Sequence, residues 1–437
     1  MTNTPPLSLQ SYADPRGRLF LQGGTLRRLI YKDAKDFYKG FIASDLYRDL
    51  TRDGVLIEAE MMGEDQQTGT MILEHPLIDR VSFAHEWSFE GLKTCALMML
   101  DLQARLLEHG MSLHDGHSFN VLFSGCKPTF VDFTSIVEAR PRGWSAYREF
   151  RHYVLNPLRL MAAGNEDVPR SMLSRGKGIS DDDTELLVGR GSGLIGTPRR
   201  FLKRSFYKIK RDPKDIVAGL KASVEKLNFP VKKTKWGNYS EDSPAVDLPQ
   251  YDSMKRESAR KALDRLRPKT VLDVACNQGW YARLAEHHGA RVVGFDFDEV
   301  AINKAFIDCR DTQTDVLPLV MDFTNPSPAR GLLNAADPNA IERFKAEMVL
   351  AIAIVHHLVF TANVHLEHIV ATLDALTEKT LLVEFIPKED AYVSAWKKPI
   401  PEWYTLDNFK SILGRNFDKI EEIPSDPSPR VFLLCSR

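Results

Sequence analysis

The sequence predicts an α/β protein in two halves: a carboxyl-terminal half built on one large, mainly parallel sheet, preceded by an α+β half of different style. Three observations lead there. A length of 437 residues exceeds what a single hydrophobic core usually organises. From residue 252 onward, apolar strand-like runs alternate with amphipathic helical runs, the rhythm of a parallel sheet covered on both faces. Before residue 226 the strand-like runs instead come in hairpin pairs, and long helical stretches follow them. The Pro-bearing, aperiodic stretch at 226–250 is the expected linker between a domain at 1–225, strand-rich to about residue 88 and helical after it, and a domain at 251–437.

Composition narrows the class. Hydrophobic residues at 43% and charged residues at 27% are ordinary for a soluble globular chain, and no apolar run approaches the ~20 residues that span a bilayer. The first residues lack the basic start and apolar stretch of a secretory signal, so the cytoplasm is the expected location. Five scattered cysteines with no CxxC pair point to reduced thiols rather than zinc or a redox dithiol. A net charge of -1 argues against a globally basic nucleic-acid binder. Charge is nonetheless concentrated at 199–214, where eight Lys or Arg stand against one Asp with Phe206 and Tyr207 interleaved. Such a stretch can grip RNA phosphates or make peripheral contact with an anionic membrane surface. Leu202, Phe206 and Ile209 recur at helical spacing, which equally suits a solvated helix.

In the first half, apolar runs on either side of Gly23-Gly24 (16–32) read as a hairpin, 33–52 as a helix, and 55–62 and 70–78 as further strands. Leu92, Cys95, Ala96, Met99, Leu102 and Leu106 give a helix beginning at Phe89, which Gly110 is placed to end. Residues 145–225 look mostly helical with glycine-rich and acidic loops. In the second half, strands are expected at 270–276, 290–298, 316–323, 346–355 and 380–387, with helices between them. A closing hairpin, 417–424 with 430–437, turns at Ser425–Ser428.

The stretch VLDVACNQGWYARLAEHHGARVVGFDFD (271–298) places a strand, a small-residue loop, a helix and a second strand ending in acid. A ligand that must approach the backbone closely needs small residues in that loop, and an acid about twenty residues on can accept both ribose hydroxyls. Asp296 stands there, with Asp298 as the alternative. Nicotinamide-dinucleotide domains use the same logic. This loop, however, runs Asp273-Val-Ala-Cys-Asn-Gln-Gly279 rather than GxGxxG, and Asp322 ends the next strand.

In these features the second half resembles the class I S-adenosylmethionine-dependent methyltransferases, over about 180 residues. The resemblance implies a seven-stranded Rossmann-like sheet with S-adenosyl-L-methionine as cofactor. It implies cofactor-binding positions at Asp273, Ala275, Cys276, Asn277, Gly279, Asp296, Phe297, Asp322, Phe323 and Ala353. Ala275 and Asn277 replace loop glycines; Ala275 is expected to keep negative φ, and Asn277 to accept a left-handed conformation. His356 and His357 follow the fourth strand, where either can take a proton from a hydroxyl acceptor or simply brace the pocket. Glu384 and Lys388 are further pocket candidates, or a structural pair.

In the first half, LHDGHSFNVLFSGCKPTFVDF (113–133) spaces Asp115, Asn120 and Asp132 as phosphotransferases space a catalytic Asp and two magnesium ligands. The stretch resembles the catalytic region of kinase-like proteins, including polysaccharide chain-terminating proteins that fuse a kinase to a methyltransferase. That implies an α+β kinase-like domain, with Mg-ATP at Asn120 and Asp132 only if the domain is active. Two departures stand against activity: Thr134 replaces the Gly of DFG, and no glycine-rich phosphate loop is recognisable upstream. Arg27, Arg28 and Lys32 are the candidates for a strand cation. His114 and His117 lack further ligands at zinc-like spacing. With DFTNPSP (322–328), the whole chain is similar to a bacterial methyltransferase group that includes the NoeA-like nodulation proteins. The resemblance implies a saccharide or other small hydroxyl-bearing acceptor, positioned by the kinase-like half. A bifunctional kinase-methyltransferase of a surface glycan and an RNA-binding methyltransferase are the alternatives.

Overall fold

The structure is a computed structural model and describes residues 11, 14–65, 68–189, 212–234, 236–237, 253–396 and 399–437. The chain forms two compact units: Met1–Val231 with Ala329–Pro338, and Lys232–Pro328 with Asn339–Arg437. Residues 226–231 of the expected linker therefore go with the first unit and 232–237 with the second. Residues 238–250, and all of the basic stretch except 212–214, lie outside the described residues.

The first unit opens with an antiparallel sheet in the order β1-β2-β4-β3, from β1 (Gly17–Gln22), β2 (Thr25–Ile30), β3 (Glu60–Glu64) and β4 (Met71–His75). Gly23 and Gly24, at φ +61° and +82°, make the two-residue turn that pairs Gln22 with Thr25. The helix expected over 33–52 is two, Lys32–Ile42 and Asp45–Arg52. Ser44 separates them, because its hydroxyl accepts from the Tyr47 amide and caps the second. The strand expected at 55–62 begins only at Glu60; upstream, Leu56 bridges Phe130 instead.

The helix Phe89–Glu108, capped by Ser88, buries Leu92, Cys95, Ala96, Met99, Leu102 and Leu106 as their spacing predicts, and Gly110 follows it at φ +72°. Next come two antiparallel ribbons, β5 (Met111–Leu113) with β8 (Ile136–Glu138) and β6 (Val121–Ser124) with β7 (Lys127–Phe130). Later helices include Asn156–Ala162, Asp167–Ser174, Asp181–Gly189 and Pro213–Glu225.

The second unit is a mixed α/β fold on a seven-stranded sheet. Its strands are β9 (Thr270–Val274), β10 (Arg291–Asp296), β11 (Val316–Val320), β12 (Ala346–Ala351), β13 (Thr377–Phe385), β14 (Lys419–Pro424) and β15 (Val431–Ser436). They lie in the order β11-β10-β9-β12-β13-β15-β14. The first five are parallel, and the terminal hairpin adds antiparallel to β13.

The central strands carry continuous apolar runs because helices cover both faces: Val271, Leu272, Val274, Met348, Val349 and Leu350 are buried. Each such side chain contributes about 1.5–3 kcal/mol relative to exposure. From β9 the chain steps outward to β10 and β11, then returns across the sheet to β12, so the order reverses between β9 and β12. Ligands of open α/β sheets bind in the crevice at the carboxyl ends of strands at that reversal.

Two stretches of the second half depart from their expected course. The fourth strand, expected to run to 355, stops at Ala351; Ala353 turns the chain at φ +57° into the helix Val355–Phe360. Residues 329–338, between β11 and β12, belong to the first unit. There Arg330 donates to the Ser174 carbonyl at 2.7 Å, lies 4.8 Å over the Phe83 ring and pairs with Asp337 at 3.3 Å. Nothing in the sequence signalled that excursion.

Candidate functional site

Positive φ in a residue with a side chain costs about 1–2 kcal/mol, so a cluster of such residues marks a place where close approach outweighs comfort. Ala275 (+56°) and Asn277 (+51°) follow β9, and Ala353 (+57°) follows β12: three left-handed residues in two turns flank the reversal point. The expectation that Ala275 keeps negative φ is overturned. Few residues separate the end of β9 from Gly279, which at φ +78° precedes the helix Trp280–His287, and the chain makes that tight turn left-handed despite the methyl group. Asn277 is left-handed as expected.

Asp296 ends β10 and is 6% exposed. One oxygen accepts from the Asn277 amide at 3.0 Å and the other from the Asp298 amide at 2.9 Å. The Phe297 amide also lies by this carboxylate, whose roughly four acceptor positions still leave capacity for a ligand hydroxyl. Burial is the main cause that lifts the Asp296 pKa to about 6. Asp298, the alternative, is committed elsewhere: its carboxylate caps the helix Glu299–Thr312 through the Val300 and Ala301 amides. Asp273, on β9, is 2% exposed, and its Oδ2 has no hydrogen-bond partner. Burial first, with the nearby Asp296 charge, pushes its pKa up to about 8.

Asp322 is exposed just beyond β11, where its Oδ1 accepts from the Thr324 amide and hydroxyl, both at 2.8 Å. Phe297 is 59% exposed beside Asp296, whereas Cys276 and Phe323 are buried. The Cys276 amide ties the loop to the Phe295 carbonyl at 3.0 Å.

His356 and His357 begin the helix after β12. His356 is buried, its Nδ1 has no hydrogen-bond partner, and burial, followed by the neighbouring His357, pulls its pKa down to about 3. It therefore stays neutral at physiological pH and is a weak proton acceptor. His357 is half-buried, packed between Trp236 (centroids 4.7 Å) and Trp396 (4.9 Å). Glu384, fully buried, pairs with Lys255 at 2.7 Å and accepts from Ser425, so the expected Glu384–Lys388 pair is not the one formed.

In the first unit the structure brings Asp115, Asn120 and Asp132 to one loop region. The Asp115 amide donates to Ser135 Oγ, and the Val131 amide donates to the Asn120 carbonyl. Burial raises the Asp115 pKa, opposed by His114 and reinforced by Glu149 and Asp132. Asn120 is buried with Nδ2 lacking a partner.

The strand cation is Arg28, 3% exposed on β2. Its Nη1 donates to Thr134 Oγ1 at 2.5 Å and lies 3.4 Å from Asp14 and 3.6 Å from Asp132. Arg27, on the opposite face of β2, pairs with Glu74 instead. Among the described residues no group of three or more His, Cys, Asp or Glu is arranged to hold a metal ion, and no helix is long and apolar enough to cross a membrane.

No protein-family model matches the chain. Over 93% of its length it is 31% identical to nodulation protein NoeA of Rhizobium meliloti (strain 1021), spanning 90% of that protein. Among solved structures it is similar to the bifunctional kinase-methyltransferase WbdD (17% identity, TM-score 0.32, 47% of this chain and 43% of that one). It is also similar to magnesium protoporphyrin IX methyltransferase ChlM from Synechocystis PCC 6803 with bound SAH (15% identity, TM-score 0.31, 45% of this chain and 89% of that one). The match spans less than half the length of WbdD.

Proposed function

The chain belongs to the NoeA family of nodulation proteins, and from that premise we propose that its second unit is a class I S-adenosylmethionine-dependent methyltransferase acting on a hydroxyl of a saccharide or other small acceptor. One observation carries the choice of cofactor. At the reversal point two buried carboxylates, Asp273 and Asp296, occupy adjacent strands, and neither forms an ion pair among the described residues. Without a cation beside them burial holds these acids toward their neutral forms, Asp273 to about pH 8 and Asp296 to about pH 6, and their ionised forms favour a ligand bearing cations over the pyrophosphate of a dinucleotide. S-adenosylmethionine carries two, an ammonium and a sulfonium.

The donor set fits that ligand. The free acceptor positions of Asp296 suit the ribose hydroxyls, Phe297 offers an apolar face beside them, and the second oxygen of Asp322 is available to the adenine amino group. The left-handed loop at 275–279 and Ala353 bring backbone close on the β9 and β12 sides. When bound, the cofactor supplies an electrophilic methyl group; the protein supplies alignment and a dry site, which carry much of the rate in such transfers. His357 is the residue placed to take the acceptor's proton. His356, held neutral and buried behind it, keeps the strand tip free of a competing cation.

The first unit, on this reading, is a kinase-like domain that positions the acceptor. A phosphotransferase role suits it less, because Asp132 faces the Arg28 guanidinium at 3.6 Å, where a metal ligand needs its carboxylate free. Titration calorimetry with S-adenosylmethionine tests the main reading: micromolar binding by the wild-type chain supports it, and no binding removes it. Mass spectrometry of small metabolites and surface glycans from cells with and without the protein identifies the acceptor as a product heavier by one methylene.

A further inference from the structure

Thr234, Trp236 and Gly237 sit within what the sequence offered only as linker, yet in the second unit they are fastened to three elements of the crevice. The Trp236 carbonyl accepts from Asn277 Nδ2 at 2.9 Å. The Gly237 carbonyl accepts from Gln278 Nε2 at 3.0 Å and from Lys304 Nζ at 2.9 Å. Asn277 and Gln278 follow β9, and Lys304 lies on the helix that follows β10. The third fastening is aromatic: the Trp236 ring packs edge-on against His357, beyond β12, and Trp396, beyond β13, packs against His357 and His356.

Gly237 is what permits this approach. A Cβ there would lie 2.5 Å from Thr234 Oγ1 and 2.6 Å from Val300 Cβ. Asn277 is the node of the arrangement: its amide holds Asp296, its Oδ1 accepts from the Gln278 amide, and its Nδ2 holds the Trp236 carbonyl. Glycine at 277 would give the same left-handed turn without that last connection.

The strap thus delivers an indole to the rim of a crevice whose two deepest carboxylates have no counter-cation among the described residues. Trp236, His357 and Trp396 are each half-buried, so each keeps surface for a ligand. Aromatic faces attract cations through the ring quadrupole, and most strongly for indole. We propose that the Trp236–His357–Trp396 cluster is a cation-binding subsite that receives the sulfonium centre of S-adenosylmethionine, held in place through the Trp236 and Gly237 carbonyls. This rests on the methyltransferase reading above.

The subsite predicts discrimination by charge. S-adenosylhomocysteine has the same adenosyl and amino-acid parts but a neutral thioether, so the ratio of the two affinities isolates the sulfonium's contribution. In calorimetric titrations of the full chain with each ligand, the wild type binds S-adenosylmethionine more tightly. Trp236→Ala and Trp396→Ala each reduce that preference by about two- to thirty-fold, the range of a cation–aromatic contact, while Trp236→Phe retains most of it. Equal weakening of both ligands in the alanine variants makes the cluster a brace and overturns the proposal, as does a wild type with no preference between them. Absence of binding by either ligand to the wild type sinks the methyltransferase reading itself, an outcome distinct from both. Circular dichroism of each variant, matching wild type, certifies that the ratios come from folded protein.

Discussion

Two pairs of carboxylates, one in each unit, are treated in opposite ways, although the second unit also holds a paired acid, Glu384 with Lys255. In the first, Asp14 and Asp132 meet Arg28, a guanidinium supplied by the fold and itself 3% exposed. In the second, Asp273 and Asp296 are buried more deeply still, but no cation among the described residues pairs with them. A carboxylate neutralised from within is a finished piece of structure, whereas one left uncompensated stays costly until a ligand arrives. The contrast teaches that burial alone does not identify a binding site. What identifies it is burial without a partner.

The largest expected effect tests the unfinished side. Asp296→Ala removes the acceptor for ribose hydroxyls and should weaken S-adenosylmethionine binding by about a hundredfold or more, from two charge-assisted hydrogen bonds. Undiminished binding in calorimetry would break the comparison at its centre.

The next test addresses the finished side. Arg28→Met leaves Asp14 and Asp132 facing each other, and should destabilise the first unit by about 2–3 kcal/mol, below the fully buried range because both acids keep some exposure. Urea denaturation measures it. If wild-type protein binds nucleotide only with magnesium, and Asp132→Ala abolishes that binding, then Asp132 is not committed to Arg28 and the first unit is a working phosphotransferase site.

The third effect is pH dependence. An unfolded Asp ionises near 3.8, while folded Asp273 holds its proton to about 8 and Asp296 to about 6. Between those values the folded state binds more protons than the unfolded, so stability without ligand falls as pH rises from about 4 and levels off above about 8. A cationic ligand reverses the preference, because ionised carboxylates attract it. Affinity for S-adenosylmethionine should therefore climb between about pH 6 and 8, and Asp273→Asn should flatten the upper part of that climb. A flat wild-type profile contradicts the pairing of these acids with a cation.

The smallest effect sharpens the account of the loop. Ala275→Gly relieves left-handed strain of about 1–2 kcal/mol but frees the unfolded chain, so a net gain of about 0.5–1 kcal/mol is expected in thermal denaturation. A loss would mean that the methyl group packs usefully.

Much of the second unit was legible because buried parallel strands and amphipathic helices leave strong periodic marks; β9 through β15 all fall within or close to the expected runs. Of the candidate site, what was legible is position and backbone: Asp296 ends its strand and Asn277 turns left-handed, as their residue types suggested. The site was illegible where geometry decides. The sign of φ at Ala275 follows from how few residues join β9 to its helix. That Arg28 rather than Arg27 meets Asp132 depends on which face of β2 is covered, and LRRLI carries apolar residues on both faces. The strap at Trp236-Gly237 left no trace because its hydrogen bonds are accepted by backbone carbonyl oxygens, which every residue has. The difference in burial between His356 and His357 is likewise one that two identical neighbours cannot encode.

The excursion at 329–338 carries a consequence for how such a protein can arise and be taken apart. Joining two finished domains end to end leaves one covalent crossing between them, but here the chain crosses at 231/232, at 328/329 and again at 338/339. Recombination at a single junction would hand each descendant an incomplete module, since the first unit keeps Arg330 and its neighbours on a loop owned by the second. A cut at 231/232 alone therefore does not separate the two units, because residues 329–338 of the first remain on the chain of the second.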